Sequence, residues 1–230
     1  MDVKIEVISA TRHSEESFWN KSALGLSLRR IGFDSKIVPR ISFDNRKGLP
    51  AIYNEGIKNA DENSYLVFIH DDVWIDDSFF TYRIVEGLSN YDVIGVAGNR
   101  RRVSKQPAWA FINLDFVWDE KINLSGAVAH GQYPFGNISF FGPSPANCEL
   151  LDGVFLAAKR ISLLASNCSF DERYDFHFYD MDFCRTAMES GLRLGTWPLS
   201  ITHQSGGAFG TDQWKKTILY IWKNGKINLH

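Results

Sequence analysis

Residues Tyr65-Leu-Val-Phe-Ile-His-Asp-Asp-Val-Trp-Ile75 place an almost wholly apolar run directly before an imidazole and two carboxylates. A short apolar run bounded by polar residues reads as a buried central strand. His70, Asp71 and Asp72 then fall at its C-terminal end, where open α/β sheets present their ligands. Adjacent acids beside a histidine are costly to desolvate without a compensating charge. A divalent ion, itself carrying a diphosphate, would supply that charge; a solvated acid pair or a cap on the next helix is the alternative.

The pattern around this stretch alternates strand and helix. Val3 to Ile8 predicts a first strand, left through the loop Ser9-Ala-Thr-Arg-His13. Ser14 suits an N-cap for one helix carrying Phe18, Leu24, Leu28 and Ile31 and stopped by Gly32. Ser35 to Val38 reads as a short strand before Pro39, and Leu49 to Ala60 shows helical spacing. Asp76 or Asp77 is expected to cap a helix running to Leu88, before a fourth strand over Asp92 to Ala97. Strands separated by helices of this length imply right-handed crossovers. The predicted fold class is therefore α/β, a Rossmann-like, mostly parallel central sheet flanked by helices.

Composition narrows the function classes. A chain of 230 residues can bury one large α/β core, and 44% hydrophobic with 14% aromatic content excludes a disordered protein. A net charge of -2 and a pI near 6.3 argue against a general nucleic-acid or anionic-membrane binder. Cys148, Cys168 and Cys184 lack zinc spacing and read as reduced thiols in a cytoplasmic setting. The N-terminus lacks the pattern of a signal peptide, and no apolar run nears the roughly 18 residues of a membrane span.

Regular alternation stops at Gly98. Residues 99–147 are rich in Gly, Pro, Asn and aromatics, too long for an ordinary connection, and so either functional or partly mobile. Arg100-Arg-Arg-Val-Ser-Lys105 is either a solvated face or an anion-facing loop. Trp109, Phe111, Phe116 and Trp118 either cover the sheet or stack on a sugar.

Order returns at Leu150-Leu-Asp-Gly-Val-Phe155, where Asp152-Gly153 precedes a strand. In Tyr179-Asp-Met-Asp-Phe-Cys-Arg185 a helix is expected, with Asp180 at its start and Asp182 in its first turn. Leu192 to Trp197 and Leu199 to Thr202 read as strands leading to His203 and the pliable Gln204-Ser-Gly-Gly207. The expected organisation is one domain over 1–230. It divides into 1–98, 99–147 and 148–230, where the regular alternation stops and where order returns.

Taken in order, these segments resemble the GT-A nucleotide-sugar glycosyltransferases, specifically the inverting, family-2-like bacterial group. Gly48-Leu-Pro-Ala-Ile-Tyr-Asn-Glu-Gly-Ile57 is similar to that group's helix before the metal strand. Phe68-Ile-His-Asp-Asp-Val73 resembles its Asp-x-Asp motif with the first acid replaced by His70. Leu151 to Phe155, Tyr179 to Arg185 and Pro198 to His203 resemble the acceptor-side strand, the catalytic-base motif and the segment supplying a late metal histidine.

The resemblance implies a nucleoside-diphosphate-sugar donor, UDP above all, a hydroxyl acceptor of unknown identity, and Mn²⁺ or Mg²⁺. Mn²⁺ tolerates imidazole better than Mg²⁺ does. It implies metal ligation by Asp72 and His203 with His70, leaving Asp71 or Asp72 as the acid that meets the ion. It implies a nucleotide-binding half over 1–98, an inserted acceptor-loop region over 99–147 and a half carrying acceptor contacts and the metal histidine over 148–230, with nucleotide contacts from Ser9, Ala10, Thr11, Arg12, Asp71 and Asp72. The base it implies is Asp180, with Asp182 as second choice and Asp152 beside them on the acceptor side. Two alternatives stay open: a non-catalytic nucleotide-sugar binder of the same fold, and a metal-dependent nucleotidyltransferase or phosphohydrolase. Against the nucleotidyltransferase, the loop after the first strand contains no Gly-rich phosphate cradle.

Overall fold

The apolar run Tyr65–Ile69 is the middle of the fold. A computed structural model describes residues 3–205, 211, 212, 214 and 215; the Gly206-Gly207 loop expected to be pliable lies outside them. The chain opens with β1 (Ile5–Ala10), α1 (Glu15–Lys21), α2 (Ala23–Arg30), β2 (Ile37–Ser42), α3 (Leu49–Asn59) and β3 (Tyr65–Ile69). It continues through β4 (Val73–Ile75), α4 (Phe80–Asn90), β5 (Val93–Gly95) and β6 (Ala97–Asn99). A 3₁₀ turn at Lys121–Asn123 leads to β7 (Leu124–His130), β8 (Asn137–Gly142), β9 (Ala146–Asn147) and β10 (Leu150–Leu151). Then come β11 (Phe155–Lys159), α5 (Arg160–Ala165), α6 (Tyr179–Glu189), β12 (Leu194–Thr196) and β13 (Ile201–His203).

The first sheet has the order β2-β1-β3-β11-β5-β12-β9. Strands β2, β1, β3, β5 and β12 all run one way, while β11 and β9 run against them. The reversed β11 inserts between β3 and β5, so strands from both ends of the chain share one core. Leu66, Val67, Phe68 and Ile69 are fully buried there, as a strand covered on both faces requires.

A second sheet, β10-β6-β7-β13-β4 with β8 on β7, abuts the first. The chain passes between the sheets seven times, at β3/β4, β4/β5, β5/β6, β8/β9, β9/β10, β10/β11 and β12/β13. His70, Asp71 and Asp72 occupy the first of these crossings. Strand β13 lies antiparallel to β4 with His203 opposite Val73, and parallel to β7 with His203 opposite His130. The register thus brings residues from three distant segments to one sheet end.

Several local expectations change. The first helix is two, because Ser22 ends α1 and caps α2: its hydroxyl donates to Phe18 O and accepts from Gly25 N. Strand β2 runs through Pro39, tolerated because β2 is an edge with no partner on its far side. Neither Asp76 nor Asp77 caps α4, whose N-cap is Phe79. Asp76 is instead buried, accepting from Thr202 Oγ1 at 2.6 Å and from Phe135 N. Residues 99–147 contain β7 and β8, whose hairpin extends the second sheet. No described helix is long and apolar enough to cross a membrane.

Candidate active site

A cavity of about 580 Å³ opens where the two sheets meet. Its floor is the β3–β4 crossing. Thr11, buried after β1, donates its hydroxyl to Asp71 Oδ2 at 2.6 Å and so holds Asp71 towards the β1 loop. Asp72 faces the other way: its Oδ2 lies 3.3 Å from His203 Nε2, and its carbonyl accepts from Gln204 N. One ligand atom from each of His70, Asp72 and His203 lies within 4.8 Å of the other two.

Burial and the contacts within this trio set its charges. Burial pushes the Asp72 carboxyl up, but the hydrogen bond and charge of His203, with His70 and Ser205 adding to them, win and hold it at about 2. Burial drives His70 down, favouring the neutral ring that a metal ligand requires. The tautomer of His70 follows from its neighbours. Tyr179 donates its single hydroxyl proton to Gly153 O at 2.7 Å. His70 Nε2, 2.9 Å from that same hydroxyl oxygen, must then be the donor, which leaves Nδ1 with a free lone pair. Two imidazoles and a carboxylate form a mixed N/O donor set suited to Mn²⁺ or Zn²⁺ more than to Mg²⁺.

Asp180 lines the same cavity. Helix α6 starts after Phe178, whose φ of 67° is left-handed and which makes no side-chain cap. Asp180 is therefore not the N-cap. Its Oδ2 accepts from Gly153 N at 3.1 Å and its Oδ1 from Met181 N. Gly153 fits only as glycine, because a Cβ there would sit 2.6 Å from Tyr179 Oη and 2.9 Å from Asp180 Cβ. Burial first, and the charge of Asp152 second, push the Asp180 carboxyl up to about 6. A half-buried acid with that affinity for protons suits general base work near neutral pH.

The remaining expected residues divide. Ala10, Asp71 and Asp152 line the cavity, and Asp152 Oδ1 accepts from Val154 N at its rim. Ser9 is buried in the first strand and Arg12 is exposed; neither lines the cavity. Asp182 is turned into the protein, 97% buried, and bound to Arg185 at 2.8 Å. It sits about half a helical turn from Asp180 and so faces elsewhere. The basic run also lies off the cavity: Arg101 is clamped to Asp119, and within residues 99–147 the described lining begins at Pro107. Trp109, Phe111 and Trp118 do line it, with Phe141 from β8. His130 is a lining residue that the sequence does not single out, because its strand has no regular pattern; its ring centre lies 6.1 Å from that of His203.

With the geometry known, comparisons place the chain. Residues 36–206 match the model of the glycosyltransferase-like family. No curated protein matches the chain by sequence. Among solved structures, residues 1–349 of TarS from S. aureus align with 98% of this chain and 66% of that one, at 12% identity and a TM-score of 0.51. GalNAc-T7 with UDP, GalNAc and Mn²⁺ aligns with 97% of this chain and 50% of that one, at 10% identity and a TM-score of 0.52. The catalytic domain of Drosophila β1,4-galactosyltransferase 7 in complex with xylobiose covers 94% and 79%, at 12% identity and a TM-score of 0.49. TarS and GalNAc-T7 share the architecture, a mixed α/β GT-A fold. The family match runs from the start of β2 past the end of β13 and takes in His70, Asp72, Asp180 and His203; the chain belongs to the glycosyltransferase-like family and has the GT-A fold.

Proposed function

We propose that the chain is an inverting glycosyltransferase that moves a sugar from a nucleoside-diphosphate sugar, UDP foremost, to an acceptor hydroxyl. The observation that carries this reading is the pairing, across one cavity, of the His70–Asp72–His203 trio with an acid of raised proton affinity, Asp180. In this reading His70 through Nδ1, Asp72 and His203 hold Mn²⁺ or Mg²⁺. The bound ion would supply Lewis-acid neutralisation of the departing diphosphate. Support comes also from the described lining, which contains no Lys or Arg to do that work. GalNAc-T7, whose fold is shared, was solved with UDP and Mn²⁺.

The reaction then needs one base. Asp180 accepts the proton of the acceptor hydroxyl as that oxygen attacks the anomeric carbon. The bond from the anomeric carbon to the diphosphate oxygen breaks on the opposite face, and its electron pair leaves with the nucleoside diphosphate. Gly153 N orients the Asp180 carboxylate, and Asp152 beside it raises its proton affinity. Residues 1–98 would hold the nucleotide, with Ala10 and Asp71 at the cavity and Thr11 behind Asp71. Residues 99–147 would face the acceptor, and 148–230 supply base and histidine. A cytoplasmic setting goes with the buried, free Cys148, Cys168 and Cys184.

A thermal-shift series with UDP, GDP and Mn²⁺, alone and combined, tests the reading, since a ligand of the native state raises its apparent stability. UDP with Mn²⁺ should raise the melting temperature by more than the sum of the separate shifts. Equal shifts with and without the ion would remove metal dependence. No shift with any nucleotide would remove the donor.

A further inference from the structure

The proposed transferase leaves its acceptor unnamed, and the aromatic wall of the same cavity bears on it. Trp118 is 52% exposed and stacks on Phe141, with 18° between the rings and centroids 5.9 Å apart. Phe111 meets Trp118 edge-on at 4.9 Å, and Trp109 meets Phe141 the same way at 4.9 Å. Both partners hold the Trp118 ring in place, so its free face is a rigid platform that loses little entropy when covered. The cluster continues through Phe116, whose ring lies 5.3 Å from both Phe111 and Trp214, and Trp214 packs against Phe178 with centroids 5.4 Å apart. A slot lined by aromatic rings accepts a flat molecule with an apolar face, such as the C–H face of a pyranose or an aryl group.

Charge sorts the candidates further. Asp71, Asp72, Asp152 and Asp180 all line the cavity, and no described lining residue is Lys or Arg. The two acids on the acceptor side, Asp152 and Asp180, stand close enough that one charge perturbs the other. Asp71 is engaged by Thr11, and Asp72 by His203, but among the described residues Asp152 and Asp180 have only backbone N–H partners. A carboxylate, sulfate or phosphate placed at the attacking hydroxyl would meet unneutralised negative charge. At separations of roughly 6 Å and an effective dielectric near 20, like charges cost on the order of 10-fold or more in affinity.

We infer that the acceptor is an uncharged glycoside presenting a flat apolar face to Trp118, and that anionic sugars are excluded. The inference rests on the transferase reading, and the two fail separately. The probes are neutral phenyl β-glycosides (glucoside, galactoside and N-acetylglucosaminide) and phenyl β-glucuronide, which differs from the glucoside by one carboxylate. Each is titrated by calorimetry into the full chain with UDP and Mn²⁺ present, after binding of UDP and Mn²⁺ has been measured on its own. At least one neutral glycoside should bind about 10-fold or more tighter than the glucuronide. Trp118→Ala should weaken that binding about 10-fold, as loss of one stacking partner does, while leaving UDP–Mn²⁺ affinity unchanged. Glucuronide binding as tight as the glucoside, no binding of any neutral glycoside, or indifference to Trp118→Ala would each overturn the inference. Failure of UDP and Mn²⁺ to bind while a glycoside binds would instead sink the transferase reading and leave the slot standing.

Discussion

Two regions meet at the cavity and differ in kind. The framework, β1 to β6 with β11 to β13, brings His70, Asp72, Asp180 and His203 together on strand ends and a helix start fixed by backbone pairing. The segment 99–147 brings an aromatic wall on a hairpin and a loop held by side chains. Asp119 is the centre of that loop: it accepts from Asn99, Arg101, Asn123 and Glu120 N. The difference teaches a division of labour. In the proposed reading, groups that must hold a proton or a cation to a few tenths of an ångström sit on the paired framework, and the surface that would choose the acceptor sits on the added segment.

The sharpest break would come at Asp180. Asp180→Asn keeps the shape and one acceptor oxygen but cannot take a proton. Transfer should fall by roughly 10²- to 10⁴-fold, the usual worth of a general base, with UDP–Mn²⁺ affinity near wild type by calorimetry. Stability has its own sign. Asp180 holds its proton more tightly folded than unfolded, so its contribution is present in acid and is lost as pH rises through about 6. The Asn variant escapes the cost of the buried charge at neutral pH but gives up one of the two backbone N–H bonds, so its melting temperature should stay near that of the wild type. Asp182→Asn, which breaks the contact with Arg185, should instead lower stability and leave the rate; the reverse pattern would move the base to Asp182.

Gly126 joins the two regions. Its φ is +92°, and a Cβ would lie 2.0 Å from Val96 O at the crossing between the sheets. Gly126→Ala should cost on the order of 3 kcal/mol, from left-handed strain and the clash. Chemical denaturation checks this, and an unchanged midpoint would mean that β7 is not locked to the framework.

Tyr179→Phe keeps the ring but frees His70 Nε2. Mn²⁺ affinity should drop by about 10-fold, typical of an outer-shell partner, and ¹⁵N shifts of His70 should show a mixed tautomer. A mixed tautomer already in the wild type would contradict the assigned hydrogen bond.

The smallest effect concerns pH. The rate should rise as pH increases through about 6, as the Asp180 base loses its proton. Asp152→Asn removes the second cause of that raised value, so the limb should move to lower pH. A limb that stays put would show that Asp152 does not act on Asp180.

Much of the framework is legible in the sequence, for a physical reason. Tyr65–Ile69 is apolar on both faces because it is covered on both, and Leu49–Asn59 shows helical spacing because one face packs on β1. The site residues announce themselves by interrupting those patterns. What the periodicity misses is set by long-range partners. Ser22 splits a helix through hydrogen bonds four residues back and three on, and Asp76 leaves its cap to reach Thr202. Strand β7 reads as loop because Gly126 and its bulge break the alternation. His130 is therefore invisible until β7 pairs with β13.

The most direct measurement is Mn²⁺ titration, by calorimetry in the presence of UDP, of the wild type, His203→Ala and Asp72→Ala. One ion per chain is expected for the wild type. Affinity should weaken in His203→Ala and weaken further in Asp72→Ala, since removing a carboxylate also removes charge. Unchanged Mn²⁺ affinity in a folded Asp72→Ala protein would contradict the metal site and, with it, the chemistry built on the framework.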